Sequence, residues 1–123
     1  MNNLLSAKTV SYLLRLAVFG EFLGHGLFAI QGKAQWVGWV SQLFGVDTAL
    51  ATQTLLVIGT FDIIVALFVL LKPNKPILLW AIFWGFSTAL MRPVVGEPFL
   101  DFVERWANWG APLALLYFVD KEV

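Results

Sequence analysis

Apolar residues run almost unbroken from Val10 to Ile30, stop, and resume between Leu50 and Leu71. A helix that crosses a bilayer needs roughly 20 mainly apolar residues, and four segments can be drawn on that criterion, at about 9–31, 50–71, 77–92 and 98–119. The second ends at the breaker Lys72-Pro73-Asn74-Lys75-Pro76, and the third is expected to stop at Pro93, which cannot continue a hydrogen-bonded helix. The fourth starts at Pro98, a residue suited to a first helical turn, and carries Asp101, Glu104, Arg105 and Asn108 in its first half. Between spans one and two, Trp36, Trp39, Val40, Leu43 and Phe44 recur at helical spacing opposite Gln35, Gly38, Ser41 and Gln42. Such a Trp-rich amphipathic helix belongs in the membrane interface. The pattern therefore predicts an all-α fold: a four-transmembrane-helix bundle with a short interfacial helix between spans one and two, in a single domain over 1–123. Gly20 and Gly24, four residues apart, are expected to allow close helix packing.

Composition agrees with this pattern. The chain is 59 % hydrophobic and 13 % charged, against about 25 % charged in an ordinary soluble domain. Its net charge is zero and no basic stretch occurs, which argues against a nucleic-acid partner. It contains no cysteine, so disulfides, thiol relays, persulfides and thiolate metal sites are excluded for these residues. The first span reads as a retained helix and not as a cleaved signal, because Arg15 and Glu21 interrupt it and no small-residue cleavage site follows. With four spans, both termini and the middle loop share one side, with Lys8, Lys72, Lys75 and Lys121. The other side has Lys33, Arg92 and Arg105 against Asp47, Glu97, Asp101 and Glu104. The positive-inside bias then expects cytoplasmic termini.

Charge is expensive inside a span, so an ionisable residue there is a functional-site hypothesis by default. Glu21 and His25, the only histidine, lie one helical turn apart on the same face of span one. At 1.5 Å per residue, Asp62 falls at about the depth of Glu21. His25, Arg92, Glu104 and Asn108 fall in the half away from the termini, and Arg15 in the other half. These groups are expected to face inward and pair in a pocket containing Glu21, His25, Asp62 and Arg92, with Asn108 and Glu104 as weaker members. Trp80, Trp84, Thr88 and Arg92 form a four-residue stripe on span three. Trp84 and Thr88 can line the same pocket, although packing is the commoner use of such tryptophans.

Several chemistries are open to such a pocket. Glu, His and Asp can ligate a transition metal, but with a single histidine no metal site is expected. A b-type haem would need a further axial ligand, and Met91 is the only internal methionine. Proton exchange by the Glu21/His25 pair with a bound quinone headgroup fits better. The pair can equally anchor another small polar headgroup while aromatics hold an apolar tail, or serve as interhelical hydrogen-bonding glue.

Leu14-Arg15-Leu16, His25-Gly26, Lys33, Gly59 with Asp62, and Asn108-Trp109-Gly110-Ala111-Pro112-Leu113-Ala114-Leu115-Leu116 together resemble the DoxX-like family of small four-helix bacterial membrane proteins. The resemblance spans nearly the whole chain. It implies a four-helix bundle in the bacterial cytoplasmic (inner) membrane, with Arg15, His25 and Lys33 as functional positions. It also implies a link to quinone-dependent redox complexes, in which this chain would be an accessory subunit of an oxidoreductase alongside a partner redox subunit or copies of itself. The alternatives are a non-catalytic assembly subunit and a small-solute or lipid-binding transporter module.

Overall fold

The computed structural model describes residues 6–120 and is all-helical over that range. The helices are α1 (Ala7–Ile30), α2 (Ala34–Phe44), α3 (Thr48–Leu71), α4 (Lys75–Val94), α5 (Phe99–Val103) and α6 (Ala107–Asp120). Lys121, counted above with the cations of the terminal side, lies outside the described residues. Helices α1, α3 and α4 are each long and apolar enough to cross a membrane, which marks this as a membrane protein.

Side-chain caps set where the long helices begin. Ser6, Asp47 and Asn74 accept from the backbone N–H of Thr9, Leu50 and Ile77, at 3.2, 2.8 and 3.1 Å; each cap satisfies one of the N–H groups that a helix start leaves without a partner. Gly32 and Gly45 bracket α2 with φ of 67° and 63°, a left-handed backbone that glycine adopts without steric cost. They allow the chain to leave α1, run through the eleven residues of α2 and enter α3.

Helix α1 is central. It packs along α3 on one side and on α6 on the other, α6 packs on α4, and α3 and α4 touch only slightly. One core cluster (Val18, Phe22, Val65, Ala66, Val69, Leu78, Ala81 and Leu115) fills the half of the bundle near the start of α1. A smaller one, of Ala29, Val37, Ala51 and Leu55, fastens α2 to the opposite end. Outward positions are apolar as well: Leu56, Val57, Ile64, Leu67, Phe68 and Leu71 are exposed along α3, as a helix facing lipid requires.

Three sequence expectations change. Gly20 and Gly24 face open space, with nothing within 4 Å of a Cβ built on either. The close crossing is made instead by Gly26 and Gly59, where a Cβ on Gly59 would lie 2.6 Å from the Gly26 carbonyl oxygen. Pro93 does not end α4, which runs on to Val94. Proline loses its own N–H and crowds the carbonyl four residues back, but its fixed φ is compatible with a helix, and the chain turns off one residue later through Val95 N–H to Met91 O and Glu97 N–H to Arg92 O, at 3.0 and 2.8 Å. The fourth segment is not one helix but α5 and α6 joined by a turn at 104–106. There Arg105 Nη1 donates to the Asp101 carbonyl and to Glu104 Oε1, at 2.9 and 2.8 Å, and Arg105 and Trp106 N–H bond three residues back. At 1.5 Å per residue the 14 residues of α6 extend about 21 Å, short of a hydrocarbon core of about 30 Å.

Candidate functional site

Because α3 and α4 barely touch, their ends farthest from residue 6 leave a space between them, which α1 backs and α2 covers. This space is a cavity of about 270 Å³. His25 and Ala29 line it from α1, and Leu55, Ile58 and Asp62 from α3. Trp84, Thr88, Met91 and Arg92 contribute from α4, and Trp36, Trp39 and Phe44 from α2. Its wall is mostly aromatic and aliphatic, with a few polar groups converging on it, the usual make-up of a small-ligand site.

The helix crossing places the polar groups. Gly26 opposes Gly59, so in the antiparallel α1/α3 pair Asp62 stands level with residue 23, between Glu21 and His25. Asp62 is 3 % exposed and Arg92 6 %. Asp62 Oδ1 and Arg92 Nε are buried without a hydrogen-bond partner. The Arg92 guanidinium lies 5.1 Å from the centre of the Trp39 ring, and its Nη1 donates to the Thr88 carbonyl one turn back on its own helix. His25 meets Trp36 edge-to-face at 5.6 Å between ring centres.

Of the expected pocket members His25, Asp62 and Arg92 thus come together at the cavity, but they do not pair. Among the described residues the one ion pair is Arg105 with Glu104, at 2.8 Å, near the surface and outside the cavity lining. Arg92 has turned to its own helix and to Trp39, which leaves the carboxylates of α1 and α3 without a cation. Glu21 is not a lining residue. It sits one turn from His25 against α4, with Oε2 buried and unpartnered, 3.2 Å from where a Cβ on Gly85 would stand. Asn108 does not line the cavity either; its backbone carbonyl presses on Gly85. Pro112, four residues on in α6, has no N–H to bond that carbonyl, so it turns to the neighbouring helix. Arg15 lies away from the cavity over the Tyr12 ring, at 4.9 Å. Lys33 is not a lining residue; its Nζ lies over Phe28 and Trp36 at 4.6 and 5.0 Å. Trp84, Thr88 and Arg92 of the α4 stripe line the cavity, whereas Trp80 stacks on Trp84 at 5.5 Å and meets Phe61 edge-to-face.

The sequence reading missed the cover. Trp36, Trp39 and Phe44 read as an interfacial foot; Trp36 and Trp39, half-buried, also line the cavity, as does the largely exposed Phe44, and Gln35 holds α2 to the loop after α4 through a 3.3 Å bond from Nε2 to Glu97 Oε1. Met91 also lines the cavity. The available signal was the moderate length of α2 between two glycines, which folds it back onto the spans. No cluster of three or more His, Asp or Glu side chains in metal-binding geometry occurs among the described residues. No family model matches this chain, and neither a curated protein nor a solved structure matches it significantly.

Proposed function

We propose that this protein is a DoxX-like, redox-associated subunit of the bacterial inner membrane that binds quinone or a similar small ligand in the cavity between α3 and α4. The observation that carries the reading is an apolar, tryptophan-lined cavity that contains His25, Asp62 and Arg92, inside a protein whose outer surface is itself apolar. A ring and tail fit such walls, and a headgroup needs the few polar groups placed there. In this reading α5 and α6 complete a fourth span, the termini are cytoplasmic, and the cavity opens toward the opposite face. His25 exchanges protons with the headgroup, and Glu21 stands one turn deeper as its partner in that exchange. Asp62 and Arg92 fix the headgroup between Trp84 and Thr88, while Arg15, Lys33 and Asn108 act outside the cavity on packing and on partner subunits.

Purification in mild detergent, with mass spectrometry of co-purifying quinones and proteins, tests the reading. Bound quinone in wild type, lost in His25→Ala and Asp62→Ala proteins that still insert in the membrane, supports it. A stoichiometric partner with no bound small molecule would reject it in favour of an assembly subunit.

A further inference from the structure

The buried polar groups of the cavity ask more of an occupant than a ring of suitable size. Arg92 can only donate, and an ionised Asp62 can only accept. The two line the same cavity, are nearly fully buried, and each leaves a buried atom unpartnered, Nε and Oδ1 respectively. Neither neutralises the other, since the ion pair observed is elsewhere. Trp36 adds another unpartnered donor, its indole N–H. An occupant with acceptors alone satisfies Arg92 and leaves Asp62 bare, and one with donors alone does the reverse. A hydroxyl on a ring does both, because its O–H donates and its lone pairs accept.

We propose that the cavity selects the hydroxyl-bearing form of its ligand, a phenol or hydroquinone, over the carbonyl-only or ether form of the same molecule, with Asp62 accepting the hydroxyl proton in a hydrogen bond. This inference rests on the small-ligand reading above and specifies the ligand class. Leaving a buried acceptor unmatched is costly, so the hydroxyl form binds at least about tenfold more tightly. Asparagine offers both a donor and an acceptor, and Asp62→Asn therefore narrows the gap.

The test uses the full chain in detergent micelles and a matched pair of redox-inert probes, para-octylphenol and its methyl ether, which keeps the acceptor oxygen but removes the donor. Quenching of tryptophan fluorescence reports binding, because three of the six tryptophans line the cavity. A short-tailed benzoquinone and its hydroquinone, kept reduced, repeat the comparison. Tighter binding of the phenol and the hydroquinone by at least about tenfold, with a smaller ratio in Asp62→Asn, supports the inference. Equal binding within each wild-type pair overturns the selectivity while leaving the cavity as a ligand site. Failure of all four probes to bind wild type overturns the ligand-site reading as well. The wild-type comparison stands even if the variant does not fold.

Discussion

Replacing Gly59 with alanine tests the packing on which the cavity depends. A Cβ at that position would lie 2.6 Å from the Gly26 carbonyl oxygen and 2.9 Å from the Ile30 backbone nitrogen. Both are backbone atoms of α1, so no side-chain rotation relieves the contact. Restoring ordinary contact near 3.4 Å requires α1 and α3 to part by about 0.8 Å, the difference between 3.4 and 2.6 Å. Overpacking of a tight interface costs about 1–3 kcal/mol. Alanine's better helix propensity returns at most about 1 kcal/mol, so Gly59→Ala is expected to lose up to about 2 kcal/mol net and to fall about 1–3 kcal/mol below a glycine-to-alanine change in open space. Gly24→Ala carries the same propensity gain with nothing within 4 Å, and should match or exceed wild type. Unfolding of both variants in mixed detergent micelles gives the comparison. The displaced helices carry His25, Ala29, Leu55, Ile58 and Asp62, so alkylphenol binding should weaken in Gly59→Ala as well. If Gly59→Ala proves as stable as Gly24→Ala, or Gly24→Ala proves the more damaging, the crossing has been placed wrongly.

Gly85→Ala drives a Cβ into the Asn108 carbonyl and toward Glu21 Oε2, and should cost about 1–3 kcal/mol in the same unfolding assay. Arg92→Met removes a buried cation of similar length. It should leave stability equal or higher while weakening alkylphenol binding by about tenfold, so loss of both together would argue for a structural arginine. Trp84→Phe should remove part of the ligand-induced fluorescence quenching, whereas Trp80→Phe, outside the lining, should leave the absolute fluorescence lost on binding unchanged.

How much of this was legible in the sequence depends on the range of the interaction concerned. The long helices were, because apolar length is a local property, and the observed ends of α1, α3 and α4 all fall within two residues of the expected ones. Pro93 reads as a stop, but a single missing donor near a helix end is absorbed by the turn that follows. Pro112 shows the opposite side of the same chemistry: the carbonyl it cannot bond becomes a contact between α6 and Gly85. Depth counting brought Asp62, His25 and Arg92 to one region because antiparallel helices of similar length align by rise alone. It could not say which glycine faces a neighbour, since that is set by rotation about the helix axis, which depth counting does not fix. Nor could it say where Arg92 turns, because its guanidinium finds the Thr88 carbonyl and the Trp39 ring rather than a carboxylate. That turn is what leaves Asp62 without a cation inside an apolar wall. A salt bridge at this point would have closed the polar end of the cavity, whereas separated, half-used charges leave a donor and an acceptor for something else to join.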